Sequence, residues 1–242
     1  MKTVILTGAS RGLGLTIAKN LKKNKFKIIA IGRQLSEELN DLIEDKSIPG
    51  EIIFYPYDFS NSKGIYELTK EIKKDHGAAF GLINNAAVGA DGILATMHEK
   101  QIKETINVNL VSPMILTKYV SRSMLANGCG RIINISSIIA NTGFNGLSVY
   151  ASSKGGLVSF GKSLARELGK AEVTVNNILP GYMTTDMTKD IRSVELEAIK
   201  RRSPLGRLVS TQDVASAVNY LMSDDAKNIT GINMIIDAGN TI

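Results

Sequence analysis

The stretch "TGASRGLG" at residues 7–14 joins the first apolar run of the chain to an amphipathic segment in which Leu13, Ile17, Ala18 and Leu21 recur at helical spacing. Gly8, Gly12 and Gly14 let the backbone turn sharply off a strand, and without Cβ atoms the loop can bring its N–H groups close to an anion. The helix that follows adds the positive end of its dipole. Strand, glycine turn and helix N-terminus, in that order, predict a phosphate cradle. An ordinary strand-to-helix turn also uses glycine, so the position of the loop, after the first strand and ahead of the first helix, carries the reading.

Outward from this loop, apolar runs of strand length recur at residues 3–6, 26–31, 52–55, 80–83, 131–135, 173–178 and 232–236, several without the alternation of a half-wet strand. Between them lie helical patterns, such as Ile65, Leu68 and Ile72, and residues 214–221. Strand and helix alternate throughout, which predicts a doubly wound parallel sheet of about seven strands with helices on both faces and a ligand at the carboxyl ends of the strands. The 242 residues suffice for one core, and the expectation is one domain over residues 1–242.

Other classes fit poorly. Cys129 is the single cysteine, and His76 and His98 have no partner at ligand spacing, so neither an internal disulfide nor a metal site is expected. The start, "MKTVILTGAS", lacks a long apolar h-region, and no apolar run approaches the ~20 residues that span a bilayer. The expectation is a soluble cytoplasmic protein with no membrane partner. The net charge of +6 is spread over amphipathic segments such as "KEIKK", and aromatics make up only 5% of residues, so no nucleic-acid partner is expected.

The loop spacing, Gly-x-x-x-Gly-x-Gly, resembles the Thr-Gly-x-x-x-Gly-x-Gly signature of the short-chain dehydrogenase/reductase family. Further matches follow in order: "NNAA" at 84–87, Asn109 in "NVNL", "NISS" at 134–137, "YASSK" at 150–154 and "PGYMTTDM" from Pro180. The resemblance covers essentially the whole chain and implies a single-domain Rossmann-type fold. One departure is Ala87, where the family usually carries glycine. The resemblance implies that Gly8, Ser10, Arg11, Gly12, Leu13 and Gly14 bind the cofactor. It adds Asn85, Ala86 and Ala87, after the fourth strand, and Pro180, Gly181, Met183 and Thr185 as further cofactor-binding residues.

A tyrosine four residues before a lysine decides little in a chain with 7 tyrosines. Tyr66 and Lys70 share that spacing, but their neighbours Glu67, Lys73 and Lys74 mark a solvated helix face. Tyr150 and Lys154 instead follow Ser137 by the thirteen positions of the family pattern. Ser136, its neighbour on an extended chain, should point the opposite way. Reducing a ketone takes a hydride from a nicotinamide and a proton for the developing alkoxide. A phenol, with an ordinary pKa near ~10, is a poor acid or base at neutrality, and a lysine ammonium close by is expected to draw it down. By resemblance Tyr150 is the general acid, and Lys154 tunes it and holds the nicotinamide ribose. Ser137 binds the substrate oxygen, and Asn109 positions a water of the proton relay. The bland readings are a strand-end cap for Ser137 and a buried helix kink satisfied by Asn109.

The second strand ends "AIGRQ", with no carboxylate for a ribose diol. Gly32 leaves room there, and Arg33 with Arg11 could clamp a 2′-phosphate, which reads as NADPH. Asp58 and Phe59, after the third strand, match the family's adenine-binding segment. Within the family the chain is most like the 3-oxoacyl-[acyl-carrier-protein] reductases, which implies a 3-oxoacyl thioester substrate, an acidic carrier protein and a homotetramer. The carrier-docking arginines of that group have no match, since Gly128 and Ala171 stand in their places; Arg122, Arg131 and Lys170 lie nearby in sequence. Two rival readings are a reductase of a free polyketide, sugar or other small ketone, and a non-catalytic regulator that binds NADP. The second predicts a broken Ser/Tyr/Lys set, and the set is intact.

Overall fold

Seven parallel strands form a single sheet in the order β3-β2-β1-β4-β5-β6-β7. The structure, a computed structural model, describes residues 1–89, 91–183 and 193–242. The strands are β1 (Thr3–Thr7), β2 (Lys27–Gly32), β3 (Glu51–Pro56), β4 (Gly81–Asn84), β5 (Gly130–Ile135), β6 (Val173–Pro180) and β7 (Asn233–Ile236). Each overlaps an expected apolar run. The helices are α1 (Gly12–Lys23), α2 (Glu37–Glu44), α3 (Ile65–His76), α4 (Glu99–Ile106), α5 (Ser112–Asn127), α6 (Ser148–Leu168), α7 (Ser193–Arg202) and α8 (Thr211–Met222).

The runs lack alternation because both faces of the sheet are covered. Val4 and Leu6 of β1 point into an apolar layer with Ile17 and Leu21 of α1 and Val214 and Val218 of α8. Ile5, between them, points into the opposite layer with Ile65 and Leu68 of α3, Leu116 of α5 and Leu164 of α6. Side chains two apart share a face, so neighbouring residues serve different cores. The strand order reverses between β1 and β4, and the loops from their carboxyl ends diverge there into a crevice.

One helix near that crevice is fixed by charge at one end and hydroxyls at the other. Lys22 of α1 is buried, and its ammonium donates to the carbonyls of Leu42 at 2.5 Å and Asp45 at 2.7 Å, closing the C-terminus of α2. Ser36 caps the other end, accepting from the Leu39 amide at 3.2 Å while donating to the Ser10 carbonyl of the glycine loop at 2.5 Å. The helix that follows Arg33 is thereby tethered at both ends. Burial pulls the Lys22 amine below its ordinary value, the nearby Asp45 carboxylate opposing. Lys22→Met would leave these carbonyls without their charged donor, and urea unfolding should show a loss of about 1–3 kcal/mol.

Candidate active site

The glycine loop sits at the carboxyl end of β1, and the N-terminus of α1 has neither a side-chain cap nor an acidic residue in its first turn. Helices α2 and α8 are by contrast capped by Ser36 and Ser210. Gly8 has φ +68°, and a Cβ there would stand 2.9 Å from the Ala86 Cα. A Cβ on Gly14 would fall on the Gly8 carbonyl. The Thr7 hydroxyl accepts from the amides of Asn85 and Ala86, both at 2.9 Å, and the Asn85 amide group donates to the Thr7 and Gly8 carbonyls, both at 3.0 Å. The loops of β1 and β4 are thus one unit. Open amides at a helix end, with backbones in contact around them, fit the phosphates of a dinucleotide.

Most of the other expected cofactor residues lie in this loop or just after β2, β3 and β4. Gly12 has φ +54° and opens α1, and Leu13 turns its side chain into the core. Ser10 donates to the Gln34 carbonyl at 2.5 Å, tying the loop to the end of β2. Arg11 and Arg33 are exposed on either side of that tie. Asp58 is exposed and accepts from the Ser60 amide at 2.9 Å, while Phe59 is buried with its carbonyl bound by Ser112 at 2.6 Å. Ala87 is half-buried in the loop after β4.

On the other side of the crevice, α6 presents Tyr150 and Lys154 one turn apart, with the Lys154 Nζ 5.8 Å from the centre of the Tyr150 ring. Lys154 is buried and donates to the Ile135 carbonyl at 2.9 Å. Ser136 and Ser137 point apart as expected. Ser136 is buried and donates to the Lys154 carbonyl at 2.9 Å, whereas Ser137 is half-buried and accepts from the Ile139 amide at 3.3 Å. Tyr66 and Lys70 lie outside the site: Lys70 pairs with Glu67 at 3.8 Å, and Tyr66 packs on Tyr119.

The chain by itself reverses one expectation. Burial pushes the Tyr150 phenol up to about 12, with the Asp91 carboxylate adding to the rise. Burial also pulls the Lys154 amine down to about 8. Desolvation disfavours the charged form of each group and outweighs the attraction expected between them.

Asn109 lies in a widened turn, Asn107–Val111, between α4 and α5. Pro113 is four residues on and has no N–H for the Asn109 carbonyl, which accounts for a π turn there. The Asn109 side chain holds Val88 from both sides, accepting from its amide at 2.8 Å and donating to its carbonyl at 2.9 Å. It also donates to the Ser153 hydroxyl at 3.2 Å, which itself donates to the Tyr150 carbonyl at 2.7 Å. Asn109 thus sits in the widened turn and joins the loop after β4 to the Tyr150 turn of α6. Ser153 was not singled out from the sequence; its place three residues after Tyr150, on the same helix face, was the available signal. Asp91 carried none.

The third wall comes from β6. The Gly181 amide donates to the Ile236 carbonyl at 2.8 Å just after Pro180, and Met183 bridges to Val209. Thr185 lies outside the described residues. Tyr182 meets Phe144 edge to face at 6.4 Å, and the Gly92 amide donates to the Gly146 carbonyl at 2.9 Å, closing the loops after β4 and β5 on each other. Phe144, Ile93 and Leu94 leave an exposed apolar rim. Arg131 is not available for docking: it is buried at the start of β5, over the Phe80 ring at 5.5 Å. Gly128, Lys170 and Ala171 also lie at the amino ends of β5 and β6, across the sheet from Ser137. Among the described residues no helix is long and apolar enough to cross a membrane, and no cluster of three or more His, Cys, Asp or Glu could hold a metal.

A family model described as enoyl-(acyl carrier protein) reductase matches residues 8–241. The chain is 36% identical over 248 residues to the 3-oxoacyl-[acyl-carrier-protein] reductase FabG of Salmonella typhimurium, covering 98% of this chain and 96% of that one. A solved double mutant of a Serratia marcescens short-chain dehydrogenase/reductase superposes with TM-score 0.92 at 28% identity, covering 100% of this chain and 98% of that one. A 4-hydroxyisoleucine dehydrogenase complexed with NADH matches with TM-score 0.92 at 30% identity, covering 100% and 99%. The chain belongs to the short-chain dehydrogenase/reductase family and is an oxidoreductase acting on ketone or alcohol groups.

The two shifted groups make stability depend on pH in opposite senses. Lys154 stays neutral in the folded chain from about 8, against 10.5 unfolded, so its contribution is full above 10.5 and lost as pH falls through about 8. Tyr150, raised from 10.0 to about 12, contributes below 10 and loses that contribution as pH rises through about 12. Between pH 8 and 9.5 only Lys154 acts of the two, and urea unfolding should show a gain of about 1.5 kcal/mol that Lys154→Met abolishes.

Proposed function

We propose that this enzyme reduces the ketone of a 3-oxoacyl thioester to a secondary alcohol with NADPH, Tyr150 acting as the general acid. The observation that carries this reading is the convergence of Tyr150, Lys154 and Ser137 with the glycine loop on one edge of the sheet. NADPH would supply the hydride, which goes to the carbonyl carbon. Tyr150 gives its proton to the oxygen, Ser137 holds that oxygen, and Lys154 passes a proton back to the phenolate with Asn109 and a water behind it. A donor must be protonated beforehand, and burial keeps Tyr150 a phenol at neutral pH. That state serves the reducing direction. Lys154, at about 8, can both hold and release a proton near neutrality.

Gly8, Gly12 and Gly14 with the α1 amides hold the pyrophosphate, Arg11 and Arg33 the 2′-phosphate, and Asp58 the adenine. Asn85, Ala86 and Ala87 line the adenosine side, and Pro180, Gly181 and Met183 the nicotinamide side. The apolar rim of Phe144, Ile93 and Leu94 suits an acyl chain. The names of the curated relatives support the thioester and its carrier protein, and the family resemblance supports one domain working as a cytoplasmic homotetramer. A free small ketone is the second reading, favoured by the burial of Arg131 and the absence of the docking arginines at Gly128 and Ala171.

A panel of 3-oxoacyl thioesters, carrier-bound and short, and of free ketones, assayed with NADPH and NADH, tests the proposal. Turnover of free ketones alone selects the second reading. On the best substrate Tyr150→Phe should lower kcat by ~10²-fold or more while NADPH still binds, and Tyr66→Phe should leave kcat unchanged.

Cofactor choice is separable from catalysis. A charge-assisted hydrogen bond contributes about 1.5–3 kcal/mol, so Arg11→Ala with Arg33→Ala should cut the preference for NADPH over NADH by at least ~10-fold. An enzyme that prefers NADH before any substitution contradicts this assignment.

A further inference from the structure

Four asparagines lie side by side across half of the sheet. Asn84 of β4 is in register with Asn134 of β5, Asn134 with Asn177 of β6, and Asn177 with Asn233 of β7. Each amide group donates to the next carbonyl, Asn84 to Asn134 at 2.8 Å, Asn134 to Asn177 at 3.0 Å and Asn177 to Asn233 at 2.9 Å. Asn84, Asn134 and Asn177 are buried. The row toward the amino ends on the same face is apolar, with Leu82, Ile132 and Val175. Two residues toward the carboxyl end of β5 stands Ser136, whose hydroxyl holds the Lys154 carbonyl.

Helix α6 rests directly on this ladder. A Cβ on Gly161 would stand 2.9 Å from the Asn134 amide nitrogen and closer still to the Asn177 carbonyl oxygen, so only glycine permits the approach. Asn177 also donates to the Val158 carbonyl of α6 at 3.3 Å. Asn84 reaches Thr117 of α5 at 3.1 Å, and its own carbonyl oxygen has no hydrogen bond among the described residues. Leucine would fill the same space without any polar group to satisfy, so a row of buried amides is a costly way to pack a helix. What amides add is direction: their hydrogen bonds admit one seat, whereas an apolar surface lets a helix slide. The helix so seated carries both Tyr150 and Lys154.

We infer that Asn134 and Asn177 are positioning residues for the carbonyl chemistry: through Gly161 and Val158 they fix the seat of α6, and with it the placement of Tyr150 and Lys154 relative to Ser137. The inference rests on the assignment of Tyr150 and Lys154 made above. A misplacement of a fraction of an ångström at the reacting groups is enough to matter for rate while binding at the far side of the crevice is spared.

The test is Asn177→Leu, close to isosteric, with Gly161→Ala as a second variant that lifts the helix by its added methyl. Ile72→Ala of α3, buried in the same apolar layer, serves as a stability control. Three quantities are read: kcat and KM on the best ketone, NADPH affinity by fluorescence, and titration of the Lys154 ε-carbon by carbon-13 NMR, assigned with Lys154→Arg. The expected result for both ladder variants is a fall in kcat of ~10-fold or more with KM and NADPH affinity within about threefold. The Lys154 titration should rise by about half a pH unit or more toward the ordinary lysine value as water reaches the amine. Wild-type kcat and Lys154 titration in folded Asn177→Leu, or in Gly161→Ala should the leucine variant not fold, overturn the inference. So does an Ile72→Ala control that reproduces both changes. If Tyr150→Phe proves fully active, the functional proposal fails, and the Lys154 titration still decides whether the ladder seats α6.

Discussion

Everything at the candidate site follows from the parallel direction of the seven strands, because parallel strands deliver all their carboxyl ends to one edge. The crossover from β3 back past β2 and β1 to β4 reverses the winding and opens the crevice at that edge. Covering both faces with helices makes the strands apolar on both sides, so polar groups are pushed to strand ends and loops. Thr7, Asn85, Ser136 and Ser137 sit there. Where a polar group does enter the sheet, as with the asparagines of β4 to β7, it must find its partners sideways in the neighbouring strands.

The two sides of the crevice are built by different physics. On the β1 side, backbone does the work: positive φ at Gly8, glycines packed against carbonyls, and an uncapped helix whose amides stay open to an anion. On the β5 side, side chains do the work, and burial sets their protonation. Between the two, the Asn109 side chain links the loop after β4 to Ser153 and so to the Tyr150 turn of α6.

Local features of the chain made the fold legible. Apolar runs of strand length, helical spacing in α1 and α3, and the glycine trio each depend on neighbours in sequence, and the strands formed where the runs lay. The opposite orientation of Ser136 and Ser137 was readable for the same reason. What depends on register between distant strands was not readable: nothing in "NISS" or "VTVNN" says that Asn134 and Asn177 will face each other across β5 and β6. Arg131 shows the limit of nearness in sequence: it stands close to Gly128, but it opens β5, so it lies at the end of the sheet away from the site, and its burial there follows from packing that no local pattern announces.

The protonation of the site shows why the pairing of a tyrosine with a lysine does not by itself lower the phenol's pKa. Both groups lie on one face of α6 beneath the loops, and each loses water on folding. The Lys154 ammonium directs its hydrogen bond to the Ile135 carbonyl rather than to the phenol, so its field at Tyr150 is not the dominant influence. Asp91 then acts in the same sense as burial, against the phenolate. A carboxylate at the mouth and a desolvated ring together keep the proton on Tyr150 at neutral pH. Under the function proposed above, Tyr150 starts as a fully protonated phenol at neutral pH, and an anionic dinucleotide beside Lys154 would hold the lysine charged and ready to refill it.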